Sequence, residues 1–273
     1  MSAEIENNEK EENKEDDGLL DFQSASDVFD RKYKPTLIGK RVAELYIDPL
    51  TANFIIECIK KASKKKITEF SFLQVISHTL EIRPLLRVRV KEYDIIQEES
   101  IKQADYLLEK EPNLYDPDYD DYLNSIKTAM FFKDWINEMD EEHILETYNL
   151  RPGELNVKTN LADWLLYCTE EFARMSKEKE VIKEIIKLRI RIKHGAKEEL
   201  LPLLKLKGIG RKRARKLFNS GIRDIGAIKK ANPVDLAQLI GRAITIKIKE
   251  QVGQKVKEIP KGRRLGQTSI EKF

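Results

Sequence analysis

The chain has 273 residues, 36% of them charged and 41% hydrophobic, so it reads as a soluble globular protein with one large core or two smaller ones. No apolar run approaches the length of a membrane span, and Met1–Gly18 lacks the apolar centre of a signal peptide, so a cytoplasmic protein is expected. The net charge of +3 conceals an asymmetry: Met1–Gly18 holds eight Asp/Glu and two Lys, net −6, whereas Leu201–Phe273 holds nineteen Lys/Arg and five Asp/Glu, net +14. A basic block of that size suits a polyanion, with nucleic acid the first candidate.

In chain order, residues 1–30 begin with an acidic stretch nearly free of large apolar side chains, expected to be disordered. "LLDFQSASDVFDRKYKPT" is short and mixed, compatible with a strand or wing. From Leu37 the pattern is helical. "LIGKRVAELYI" is a short amphipathic helix ended by Asp48-Pro49, and "PLTANFIIECIKKAS" is a second with Pro49 at its start. Helices follow at Phe70–Thr79, Arg87–Leu108 and Asp118–Ile136, the last two separated by the Pro/Asp loop of "PNLYDPDYDDYL". Tyr115, Tyr119 and Tyr122 in that acidic setting are expected to pack in the core. "DEEHILETYN" is a short helix. In Leu155–Met175 the residues Leu161, Leu165, Cys168, Phe172 and Met175 recur every three or four positions, a core-facing stripe. Trp164 lies on the edge of that stripe, where position alone favours the border of the core over a stacking surface. Ile182–His194 closes an all-α bundle of about six or seven helices. Cys58 and Cys168 form no CxxC and cannot build a zinc site with three scattered histidines, so buried free thiols are expected and no metal is assigned.

"LPLLKLKGIGRKRARKLFNSGI" reads helix, tight turn, helix. Gly208 and Gly210 around Ile209 permit positive φ and close backbone approach. The helix from Arg211 buries Ala214, Leu217 and Phe218. Its free amides and dipole suit a phosphate oxygen, and Arg211, Lys212, Arg213, Arg215 and Lys216 surround that point with cations. "DIGAIKKANPVDLAQLIGRAI" is a near repeat with a second turn at Ile240-Gly241-Arg242. Two such turns in tandem resemble the helix-hairpin-helix DNA-binding family. There is no GxxxxGK[ST] phosphate loop, so the chain carries no ATP site of that type and no catalytic residue is assigned. DNA glycosylases with a similar turn place an aspartate about eighteen residues after a lysine. Here Lys212 is followed at that distance by Lys230, which makes a glycosylase the weaker alternative.

Several segments in correct order, "YKPTLIGKRVAELYIDPLTA", "SIKTAMFFKDWINE", "RPGELNVKTNLADWLLYC" and "IKHGAKEELLPLLKLKGIGRKRARKLFNSGIR", resemble the C-terminal half of the archaeal Hjm helicases, superfamily-two enzymes of DNA repair that act on stalled forks. The resemblance implies that residues 31–45 are the end of a winged-helix domain, 46–194 a seven-helix ratchet bundle, and 195–254 a helix-hairpin-helix domain. It also implies a parent 3′–5′ helicase whose two motor domains, with their ATP and Mg, lie outside this chain. In that family a tryptophan on the long bundle helix stacks on a base of the translocating strand. Trp164 occupies the matching position, which implies stacking rather than core. The family's arginine two turns earlier falls on Val157, with Lys158 the nearest cation. Expected partners are single-stranded and forked DNA and the motor domains.

Residues 255–273 form a basic tail ending in "GQTSIEKF", where Gln267, Ile270 and Phe273 resemble a sliding-clamp-binding box. A protein-interaction module that recruits a clamp or repair partner is therefore the alternative reading.

Overall fold

The structure of the protein, a computed structural model, describes residues 34–256. From Ile38 onward the described residues belong to one compact unit, which holds the architecture that matters for function. Its first part contains α1 (Leu37–Leu45), α2 (Pro49–Ala62), α3 (Glu69–His78), α4 (Tyr93–Gln103), α5 (Tyr119–Ile136), α6 (Glu141–Tyr148), α7 (Pro152–Met175) and α8 (Lys179–His194). There is no strand among the described residues.

Prolines and capping side chains set the helix starts. Asp48 accepts the Leu50 and Thr51 amides at 2.8 and 3.3 Å, while Pro49 opens α2 where its missing N–H leaves no acceptor unpaired. At α7, Pro152 plays the same part and the Glu154 carboxylate accepts the Arg151 amide at 2.7 Å. With 24 residues, α7 is the longest helix among those described, and it packs against α2, α3 and α8. α5 packs in turn against α3, α4, α6 and α8. Between them lie Ile55, Phe72, Leu73, Tyr122, Phe131, Leu165 and Phe172, all essentially without solvent contact. Burial of each such side chain stabilises the fold by about 1.5–3 kcal/mol.

The stripe read on α7 is partly sealed: Leu165, Cys168 and Phe172 are buried, whereas Leu161 and Met175 are half-buried. Cys58 and Cys168 are free and buried, and burial pushes both thiols up to about 12. Neither is a thiolate near neutral pH. No helix among the described residues is long and apolar enough to cross a membrane.

Two expectations are corrected. The helix expected over Arg87–Leu108 is confined to α4, preceded by a single 3-10 turn at Val90–Glu92. The reason lies in the backbone bonds of the preceding connector. Leu86 and Val88 donate their amides to Thr128 Oγ1 and Asn124 Oδ1 of α5, at 3.2 and 2.7 Å. Lys127 takes the Arg87 carbonyl at 2.9 Å, and Lys158 takes those of Pro84 and Ile82 at 2.6 and 3.5 Å. Groups bonded to neighbouring helices cannot also close a helical ladder. Of the three tyrosines, Tyr119 and Tyr122 are buried but Tyr115 is 92% exposed.

The second part begins with a 3-10 turn at Glu198–Leu200 and continues through α9 (Leu201–Leu204), α10 (Arg211–Asn219), α11 (Ile225–Lys230), α12 (Pro233–Ile240) and α13 (Arg242–Gln251). Its own core joins Leu200, Leu203, Ala214, Leu217, Leu236 and Ile248. Lys249 is 1% exposed within it. Its ammonium donates to the carbonyls of Ile228, Lys229 and Ala231 at 2.9, 3.1 and 2.7 Å and to Gln254 Oε1 at 2.9 Å. These include carbonyls of the last turn of α11, which have no partner within a helix that ends there. Burial holds the Lys249 pKa below the ordinary lysine value.

Gly195 joins the two parts. It ends α8 in the left-handed region at φ +59°, and a Cβ there would lie 2.5–2.9 Å from the Trp135 ring. Trp135 itself donates from Nε1 to the Ile192 carbonyl at 2.7 Å. Gly195→Ala is therefore expected to destabilise the protein by about 2 kcal/mol or more, combining positive φ with overpacking. The urea midpoint of unfolding measures this, and an unchanged midpoint would show that the ring gives way freely.

Candidate nucleic-acid interface

The first hairpin is built on apolar anchors. Leu203, Leu204, Leu206 and Ile209 are buried, and the Ile209 amide donates to the Leu206 carbonyl at 3.2 Å. Gly208 has φ +92°, which the turn requires and a side chain would resist. Gly210 does not use that freedom: it sits at φ −104°, ψ 178°, extended backbone that opens α10. No side chain caps α10, and Ala214 is the first residue whose amide enters the helical ladder, bonded to the Gly210 carbonyl at 2.9 Å. The amides ahead of it remain available to an anion at the positive end of the dipole. The second hairpin repeats the plan, with Gly241 at φ +90°, Arg242 opening α13 and no side-chain cap.

The cations of α10 divide by face. Arg211 and Arg215, one turn apart, are turned onto the helical bundle. The Arg211 guanidinium lies 4.8 Å from the centre of the Trp135 ring and donates to the Gly195 carbonyl at 3.3 Å. Arg215 makes a two-pronged pair with Glu138, both contacts at 2.8 Å, and a third contact with Glu199 at 2.6 Å. It also stacks over Phe218, as does the exposed Arg223, at 5.3 and 5.2 Å. Arg213 is half-buried and donates to the Gly208 carbonyl at 3.1 Å, bracing the turn. Lys212 and Lys216 lie roughly 100° further round the helix than Arg211 and Arg215, and both are exposed. They are the cations of α10 free to meet a ligand.

Glu138 shows what the pairing does. Burial favours its neutral form, but the Arg215 hydrogen bonds and the Lys197 amide outweigh burial and hold its carboxyl below the usual carboxylate range. Arg215 is raised above the ordinary arginine value, chiefly by its bond to Glu138. Both partners are thus fixed in their charged forms at neutral pH.

Elsewhere the expected residues fare differently. Trp164 is half-buried, packed by one side on the bundle core. Lys158 is 7% exposed, with its ammonium on the Ile82 and Pro84 carbonyls, and burial lowers its pKa. Its position is that of a structural cation, which corrects the expectation that it contacts DNA. Arg242 is half-buried at the second turn. Gln267, Ile270 and Phe273 lie outside the described residues. Sequence reasoning missed Arg223, although its place just after Gly221 in a basic stretch was a usable signal. No cluster of His, Cys, Asp and Glu suited to a metal ion occurs among the described residues.

These two glycine-led turns in one small helical unit define a tandem helix-hairpin-helix DNA-binding fold, and residues 200–253 match the family described as SAM-like helix-hairpin-helix tandem. Residues 70–195 match the family described as archaeal helicase, domain 4. The chain belongs to the archaeal DNA helicase family and corresponds to its C-terminal part. An ATP-dependent DNA helicase Hel308 of Methanococcus vannielii is 40% identical over 249 residues, covering 87% of this chain and 31% of that protein. The Hel308 of Methanocaldococcus jannaschii is 41% identical over 223 residues, 82% of this chain and 17% of the relative. That of Pyrococcus horikoshii is 36% identical over 252 residues, 90% and 34% respectively. The chain thus spans about a third or less of the length of these curated relatives.

Because the Glu138 pKa is depressed, its contribution to stability is complete above the ordinary carboxylate pKa of 4.5 and is lost as pH falls through the folded value. Glu138→Gln should lose about 1–2 kcal/mol at pH 7, discounted for partial exposure, and the gap to the parent should narrow at pH 3. Urea unfolding at the two pH values reads this, and an equal gap at both would mean that charge is not what Glu138 supplies.

Proposed function

We propose that this chain is the strand-gripping, non-motor part of an ATP-dependent helicase that unwinds or remodels forked DNA in replication-coupled repair. ATP and Mg would act in motor domains outside this chain. The observation that carries the reading is the pair of uncapped, glycine-led helix starts, one with Lys212 and Lys216 left free beside it. In this reading they hold backbone phosphates without regard to sequence, and Trp164 stacks on a base of a single strand. The names of the relatives, ATP-dependent DNA helicases, support it. Recruitment of a sliding clamp by Gln267, Ile270 and Phe273 rests on their spacing in the sequence, and a clamp pull-down with and without the last seven residues tests it.

Binding of a labelled fork should weaken steeply with salt. Changing both Lys212 and Lys216 to Gln should lower the slope of log affinity against log salt by about 1 to 1.5, as expected for two lost phosphate contacts on single strands. Fluorescence anisotropy measures this, and affinity indifferent to salt would sink the proposal.

Trp164→Ala should cost about 1–3 kcal/mol in single-strand binding. Its cost in stability should stay below the roughly 3–5 kcal/mol typical of a fully buried aromatic. The reverse pattern, a large loss of stability with binding intact, would return Trp164 to the core.

A further inference from the structure

Helix α13 touches both glycine turns. Its start is the second turn itself, Gly241 and Arg242. At the first turn a Cβ on Gly208 would lie 3.6 Å from the end of the Ile244 side chain, so Ile244 of α13 rests against that turn. Near the other end of α13, Gln251 holds both backbone groups of Lys207, the residue just ahead of Gly208. Its Oε1 accepts the Lys207 amide at 2.8 Å, and its Nε2 donates to the Lys207 carbonyl at 3.0 Å. The same Nε2 donates to the Lys247 carbonyl at 3.2 Å, which fixes the side chain on its own helix. A group that pairs with the N–H and C=O of one residue at once sets that residue's direction as well as its place, as an opposite strand does.

The same end of α13 is anchored by Lys249. Its ammonium has three N–H groups, and four neutral oxygens surround it, from Ile228, Lys229, Ala231 and Gln254. Three of these belong to the end of α11 and the residue after it, the stretch that separates the two hairpins in the chain. One buried cation thus ties the link between the hairpins to the helix that serves both. The apolar contacts of Leu236, Ile240 and Ile248 hold α13 in the core, but such contacts are non-directional and tolerate small shifts. Hydrogen bonds weaken steeply as they bend, so Lys249 and Gln251 supply the direction that the leucines and isoleucines do not.

We propose that Lys249 and Gln251 are positioning residues that set the two glycine turns at one fixed separation, so that the tandem hairpins act as a rigid two-point clamp on backbone phosphates. It rests on the hairpin reading above and deepens it, because neither residue meets the ligand and each acts through α13. Once one turn holds a phosphate, a stiff support makes engagement of the second an intramolecular step with little left to order. A loosened support has to be ordered at every binding event, and the second contact contributes less.

A double-mutant cycle on the full chain tests this, read by the anisotropy of a fluorescein-labelled fork at one salt concentration. K249M and Q251A are each made alone and together with the pair K212Q and K216Q, which weakens the first turn directly. Alone, each should weaken binding about fivefold. With Lys212 and Lys216 already changed, each should cost less than about twofold, because a one-point grip has no separation to set. Circular dichroism checks folding; Gln251 is exposed, so Q251A keeps the fold, and it decides the cycle if K249M does not fold. Equal losses in both backgrounds would mark a general loosening of the unit and overturn the clamp while leaving the hairpin reading standing. Unchanged binding in the single variants would overturn it in the same way. Failure of the parent to bind the fork at low salt would overturn the hairpin reading itself, and the clamp with it.

Discussion

The pairing of Glu138 with Arg215, beside the stack of Arg211 on Trp135, is the constraint on which the rest depends. Two cores, each with its own leucines, are joined at Gly195 by these four side chains, with the Lys187–Glu198 pair beside them. Without Gly195 in the left-handed region, the chain could not leave α8 close against the indole. Without Glu138, Arg215 would lose its two-pronged partner and keep only the exposed Glu199. The orientation of α10, and with it the direction in which Lys212 and Lys216 project, follows from this junction. A binding corner defined by backbone amides has meaning only when the helix carrying it is fixed.

Basic residues do two kinds of work here, and counting charge conflates them. Lys127, Lys158 and Lys249 are buried and spend their donors on carbonyls of irregular segments. Burying an ammonium is unfavourable unless its donors find acceptors: Lys249 meets three carbonyls and Gln254, Lys127 the Arg87 carbonyl and the Glu92 carboxylate, and Lys158 two carbonyls. They organise loops whose backbone could not otherwise be paired. Arg211 and Arg215 join domains. Charge alone therefore does not say which cations of the basic block face outward: Arg211, Arg215 and Lys249 are engaged within the protein, whereas Lys212 and Lys216 are exposed.

Much of the fold was legible because it rests on local rules. Proline and aspartate at 48–49, proline at 152 and the three-four spacing on α7 are readable within one helix. The tandem glycine turns were equally plain. What escaped reading was set by partners distant in sequence. Nothing in "RKRAR" shows that Arg215 meets a carboxylate at 138 or that Arg211 covers a tryptophan at 135. The apolar stripe of Ala214 and Leu217 does sort the cations by angle, but not by partner. Arg87–Glu92 reads as the start of a helix, but side chains of α5 and α7 take the backbone groups of residues 82–88 instead. Lys158 stood out only as the cation nearest the position of the family's arginine, and two carbonyls draw it inward.

The junction also has a mechanical meaning. A pull on Lys212 or Lys216 is carried through α10 to the indole stack and the carboxylate clamp. These contacts lie side by side on one helix face, so they share the load rather than break in turn. The force then passes to Trp135 in α5, a helix packed against four others, and to Glu138 in the turn just after that helix. Tension on a held strand would reach the bundle core through these short links at the end of α5.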